Sequence, residues 1–228
     1  GHYVSALALA YAATSDASTK TLLKERMDYC LNISSYESNK LQTEEPLEEL
    51  QIEGGAGLKP FISKDDLKQA IDTWKAKEGL AGKDIIVAKG ALVFPFEMPE
   101  NLDMTTYPGS LYPCIREYDT TCKANFFYPA SDISADGMSL GTVNRSLCEY
   151  RMDIPSLIQD FVSMEAYELD DLKHNIWIMP TISETDSYYG ATTHSIESTT
   201  YYTGKLNGNK TKSEKGGPKL YLVYSVLQ

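Results

Sequence analysis

Tyrosine is the residue type through which this chain most plainly offers recognition chemistry. Its 228 residues include 16 tyrosines, and two adjacent pairs, Tyr188-Tyr189 and Tyr201-Tyr202, flank a single strand-like stretch. A tyrosine ring stacks on the C–H face of a sugar, and its hydroxyl adds a hydrogen bond. Neighbouring residues on a strand point to opposite faces, so one member of each pair can serve a given surface. These four tyrosines form the candidate ligand-binding set. The competing role for them is to cover a sheet, which tyrosine also suits.

Other residue types offer less. His2, His174 and His194 lie far apart in the chain, and no HExxH, GxSxG or phosphate-loop pattern occurs. His174 and His194 would form a metal site only if their strands met beside a carboxylate. The run Asp132-Ile133-Ser134-Ala135-Asp136-Gly137 is a loose calcium loop, the one cofactor the sequence raises. Its spacing departs from the EF-hand template, and an Asp-rich turn explains it equally well. Glycosidase chemistry needs two carboxyls about 5 to 10 Å apart. With 32 acidic residues in the chain, no particular pair can be singled out. No catalytic, cofactor-binding or metal residue is therefore assigned. Cys30, Cys114, Cys122 and Cys148 include no CxxC pair, which argues against a zinc ribbon. Cys114 and Cys122 could close a loop on adjacent strands; buried free thiols are the alternative.

The charge balance narrows the partners. Lys and Arg number 21 against 32 Asp and Glu, a net charge of −11. Such a surface does not suit the phosphates of nucleic acid, whose binding needs excess cations. Hydrophobic content of 42% is ample for a packed core. No apolar run approaches the roughly 20 residues of a membrane-spanning helix. Gly1 opens the chain without a methionine, so the lack of a visible leader says nothing about where the parent protein resides.

These side chains need elements to position them. The stretch from Asp84 to Glu97, DIIVAKGALVFPFE, is β-branched and apolar in both phases, which predicts a central strand. Pro95 marks where its ladder ends, and Gly90 a bulge or a close backbone approach. Ser63 to Lys77 predicts a helix: Ser63 can cap it, and Leu67, Ala70, Ile71 and Trp74 make one apolar stripe for packing onto a sheet. Leu147 to Ile154 alternates, with Cys148, Tyr150, Met152 and Ile154 on one face, and Pro155 opens a second helix. Further strands are expected at 50–53, 111–118, 175–179, 193–203 and 218–227, with a loop over 129–144. The odd-position pattern from Thr21 to Ile33 predicts a β-hairpin over residues 1–33 in preference to two helices. About nine strands with two short inserted helices predict an all-β chain: a jelly-roll-like β-sandwich, one domain over 1–228.

Several segments occur in a telling order: QIEGGAGLKPFI at 51–62, the helix, DIIVAKGALVFPFE, EYRMDIPSLIQDFV at 149–162, and GPKLYLVYSVL at 217–227. With NISSYESN at 32–39, they give the chain a resemblance to the Bacteroidetes surface lipoproteins grouped as domain of unknown function 4270, over roughly residues 20 to 228. The layout is also similar to that of DNRLRE modules, which are jelly-roll sandwiches. The resemblance implies export and display at the outer membrane through an N-terminal lipid anchor absent from this chain. It brings no catalytic residues. GHYVSALALAYAAT at the start is similar to a helical segment of β-L-arabinofuranosidase-type glycoside hydrolases; nothing downstream continues that likeness. The expected function is a non-enzymatic surface module that binds glycan or adheres. The alternative is a structural or interaction subunit with an outer-membrane protein partner, followed by a glycoside hydrolase.

Overall fold

A computed structural model describes residues 2–34, 47–54, 57–100, 104–121, 124–130, 132, 140–185, 188, 190, 192–197, 200 and 202–227. The chain forms two compact units, Gly1–Gln42 and Thr43–Gln228.

The first unit is helical. Helix α1 spans His2–Ala13 and α2 spans Ala17–Ser34, packed together as an αα-hairpin. This corrects the β-hairpin expected over 1–33. Ala6, Ala8, Ala10, Ala12 and Ala13 fill α1 with the best helix former. Asp16 then starts α2, its carboxylate accepting hydrogen bonds from the Ser18 hydroxyl and the Thr19 amide at 2.6 and 2.7 Å. Those bonds, Ser18 first, hold the Asp16 carboxyl down at about 2. Intrinsic propensity and a strong cap outweigh the alternating pattern from Thr21.

The second unit is a β-sandwich. Its elements run β1 (Glu49–Glu53), β2 (Phe61–Ile62), α3 (Lys64–Lys77), β3 (Ile85–Pro95), β4 (Leu111–Asp119), β5 (Ala124–Pro129), β6 (Leu140–Asn144), β7 (Glu149–Asp153), α4 (Pro155–Ser163), β8 (Ile176–Thr185), β9 (Thr192–Ile196), β10 (Thr203–Asn207) and β11 (Lys219–Val226). One sheet has the order β11-β3-β7-β6, the other β2-β8-β4-β5, with β9 pairing along the far end of β8 and β1-β10 as a small ribbon. Every strand pair among the described residues is antiparallel. The hairpins β4-β5 and β6-β7 lie in different sheets, and the chain then returns to the first sheet with β8, a crossing order that suits an all-β sandwich.

The core draws on both sheets. Phe94, Phe96, Tyr112, Tyr150, Met152, Ile176 and Ile178 are all buried in one cluster. Tyr112 crosses from β4 to donate its hydroxyl to the Asp153 carbonyl of β7, at 3.2 Å. The predicted inward row Cys148, Tyr150, Met152, Ile154 is buried throughout. Strand β3 lies between β11 and β7 and ends at Pro95, as its composition indicated. Gly90 is a close approach: a Cβ there would sit 3.2 Å from Ile158 of α4.

Helix α3 carries its expected cap, Ser63 Oγ accepting from the Asp66 amide at 3.1 Å. Its Trp74 meets Tyr224 of β11 edge-on, ring centroids 5.0 Å apart. Lys68 and Lys75 of α3 donate to the Phe161 and Val162 carbonyls at the end of α4. Those carbonyls have no helical amide to receive, and ammonium groups are favoured at that end.

Two readings of the sequence need revision here. Strand β6 falls within the loop expected over 129–144. The strand expected over 193–203 is β9, which ends at Ile196; Thr203 begins β10, which belongs to a different sheet. The sheets meet at a bridge between Ser110 and Thr142, where Gly141 has φ +70° and a Cβ would lie 1.6 Å from the Leu111 carbonyl oxygen. No L side chain fits that backbone. Gly141→Ala is expected to cost more than about 2 kcal/mol, read as a lowered urea midpoint with unchanged slope.

Candidate functional site

A shallow groove lies on the β4-β5 hairpin. Its register is Cys114↔Pro129, Ile115↔Tyr128, Arg116↔Phe127, Glu117↔Phe126 and Tyr118↔Asn125. Period two divides the side chains between two faces. Arg116 and Phe127 share one face and Glu117 and Phe126 the other.

The first face is an anchor. Trp177 of β8 pairs with Phe61 of β2 and with Cys114 of β4. Its indole contacts Phe61 at 5.0 Å and Phe127 edge-on at 5.3 Å between ring centroids. The Arg116 guanidinium lies 5.3 Å from the indole centroid, a cation–π distance. Arg116 Nε is buried without a hydrogen-bond partner among the described residues, and its guanidinium is committed to Trp177. These contacts join β2, β8, β4 and β5 through side chains as well as through their ladders.

The second face is open. Glu117, Phe126 and Tyr128 line a shallow groove of about 250 Å³ on it, which Asp119, Thr120 and Tyr118, the last from the Arg116 phase of the strand, border at the turn end. Tyr118, Phe126 and Tyr128 are 46%, 40% and 47% exposed. Phe126 and Tyr128 stand beside Glu117 on this face, with Asp119 at its end. Asp119 is oriented by its turn, Oδ1 accepting from the Thr121 amide at 2.6 Å. Rings and acceptors held on a pinned hairpin can bind a ligand that brings an apolar face and hydrogen-bond donors.

The predicted tyrosines are dispersed. Tyr188 lies in the β8-β9 turn and is 85% exposed. Tyr202 is half-buried immediately before β10. Tyr189 and Tyr201 lie outside the described residues. Reasoning from the sequence passed over the hairpin because β5 went unread; the aromatic run Phe126-Phe127-Tyr128 ahead of Pro129 was the available signal.

The other candidates resolve into structural roles. Asp132 is buried and caps α4, its two carboxylate oxygens accepting from the Ser156 and Leu157 amides at 3.1 and 3.0 Å. The rest of the expected calcium loop, 133–137, lies outside the described residues. His174 is buried, with Nδ1 accepting from the Asp170 amide at 2.9 Å and its ring edge-on to Phe161. His194 Nδ1 bonds instead to Ser183 Oγ at 2.8 Å, across the β8-β9 pair. Among the described residues, no three His, Cys, Asp or Glu side chains converge as a metal site, and no helix is long and apolar enough to cross a membrane. Comparison with protein-family models, curated proteins and solved structures finds no match to this chain.

Cys114, behind the hairpin, is a buried free thiol, and so is Cys148; Cys122 lies outside the described residues. Burial pushes the Cys114 thiol up to about 12 and raises the Tyr112 and Tyr150 phenols in the same direction. An unfolded chain releases the thiol proton from about pH 9, while the folded chain keeps it. The unfolded state then binds fewer protons, so stability is full below pH 9 and falls as pH rises toward 12. Urea midpoints at pH 8 and 10.5 should show the fall, and Cys114→Ala should flatten it.

Proposed function

We propose that the sandwich is a non-enzymatic glycan-binding module of a surface-displayed lipoprotein, and that the groove on the β4-β5 hairpin holds the sugar. The observation that supports this reading is two exposed rings, Phe126 and Tyr128, beside the Glu117 carboxylate on one face of a hairpin whose other face is pinned by Trp177. Stacked rings bind the C–H face of a pyranose, and carboxylates accept from its hydroxyls. Display through an N-terminal lipid anchor outside this chain follows the resemblance to Bacteroidetes lipoproteins and is part of the same proposal.

A second reading, an interaction subunit of an outer-membrane assembly, draws on β11. That strand pairs only with β3 among the described residues, and its outward row includes exposed Tyr221 and Val223. An open strand edge with apolar side chains can accept a partner strand.

A neutral glycan array followed by isothermal titration separates the readings. Phe126→Ala and Tyr128→Ala should each weaken binding about tenfold, the scale of one aromatic contact, with the thermal midpoint held. If Tyr188→Ala weakens binding in their place, the sugar sits at the β8-β9 turn and the groove assignment fails. If no glycan binds at millimolar concentration, the glycan reading fails as a whole.

A further inference from the structure

The anchored face of the hairpin carries an unmatched charge. Arg116 Nε is the sole buried side-chain polar atom without a hydrogen bond among the described residues. No carboxylate among those residues pairs with this guanidinium, although the chain holds 32 acids. The acids close to it along the fold are engaged elsewhere. The Arg116 amide donates to the Leu172 carbonyl at 3.1 Å. On either side of Leu172, Asp170 accepts from the Leu172 and Lys173 amides, and Asp171 pairs with Lys64. A cation–π contact satisfies the charge of a guanidinium in part and leaves its N–H donors to be filled. Around it stand rings. Trp177 and Phe127 are half-buried, and Phe61 is 50% exposed. Phe61, Phe127 and the guanidinium all lie within 5.0 to 5.3 Å of the Trp177 centroid. One sugar residue can therefore touch a ring and the cation together.

We infer that Arg116, Trp177 and Phe61 form a second carbohydrate site, on the face of the hairpin opposite the groove, and that it takes a uronic acid residue of an acidic glycan. This rests on the glycan-binding reading and adds to it a site and a ligand class. The carboxylate of a uronic acid is fixed to its pyranose ring. The residue can lay its C–H face on Phe61 while both carboxylate oxygens accept from the guanidinium fork. A neutral sugar leaves those donors unfilled, and an acidic peptide brings the charge without the flat apolar face. The stack on Trp177 holds the fork in place before the ligand arrives, so little ordering remains to be done on binding. The chain's charge of −11 repels anions at long range. Selectivity for the uronate thus arises at contact, from the fork and the rings.

The test uses the full chain at about pH 7, where a carboxyl group is ionised. Calorimetric titrations compare an α-1,4-galacturonic acid tetramer, its methyl ester and pentaglutamate. The acid tetramer should bind at least about tenfold tighter than the ester, the scale of one charge-assisted hydrogen bond. Arg116→Gln should bring that ratio toward one. The chain has two tryptophans, so Trp74→Phe leaves Trp177 as the sole indole, and the acid tetramer should shift its emission. Should Arg116→Gln fail to fold, the acid-to-ester ratio and the Trp177 emission decide the matter in the unaltered hairpin. Equal binding of acid and ester overturns the inference, and so does an unchanged Trp177 emission at saturation. Pentaglutamate binding as tightly as the acid tetramer also overturns it, because charge would then be read without the sugar. Acid-tetramer binding that is lost in Phe126→Ala and kept in Arg116→Gln puts the ligand in the groove and overturns it too. If neutral glycans bind the groove and the acid tetramer binds nowhere, this site fails and the groove reading stands. If the acid tetramer binds through Arg116 and no neutral glycan binds, the groove reading fails and this site stands.

Discussion

The backbone of β3 sets the terms for this sandwich. It is an eleven-residue central strand, and a buried amide or carbonyl left without a partner costs about as much as a lost hydrogen bond. On one edge β11 pairs with it from Ile85 to Val93. On the other, β7 reaches only from Ala91 to Pro95. The gap is closed by α4 and its lead-in. The Ile154 amide donates to the Gly90 carbonyl at 2.7 Å. Gln159 accepts from the Val87 amide at 2.7 Å and donates to the Ile85 carbonyl at 2.9 Å, so one side-chain amide stands in for a strand. That substitution explains why the helix must lie on β3, why Gly90 lacks a side chain, and why Asp132 is buried as a cap where α4 begins.

A similar economy governs the hairpin that carries the groove. Alternate residues of β4 and β5 have opposite tasks. Arg116 and Phe127 fix the strands to Trp177, while Glu117 and Phe126 face solvent. An exposed aromatic surface is useful to a ligand only if it does not rearrange on binding, because ordering loose side chains subtracts from affinity. Here the stiffness comes from the reverse face of the same two strands.

How much of this was legible in the sequence varies with the physics behind each element. The central strand, the capped α3 and the alternating β7 were readable, because a period of two or 3.6 was written in apolar residues. The all-β sandwich follows from them. The N-terminal helices were misread because Thr21 to Ile33 fits both periods, and propensity with the Asp16 cap decided the outcome. Strand β6, whose middle residues are Gly141 and Thr142, lacks an apolar signature; its pairing with β7 and the Ser110 bridge impose its form. The groove was illegible for another reason. Its residues are ordinary singly and form a groove only when the β4-β5 register places Phe126 beside Glu117, and register is a tertiary fact. Asp132 shows the converse: a residue that read as an ion ligand serves a helix end.

The contact between α3 and α4 makes one amine a natural gauge of local breathing. Lys68 is 7% exposed and engages both Asp72 and the Phe161 carbonyl. An acylating reagent can reach that nitrogen only when the two helices part, whereas Lys77 is exposed throughout. The ratio of their labelling rates, followed by mass spectrometry, should therefore report how often this corner of the fold opens while the rest remains intact.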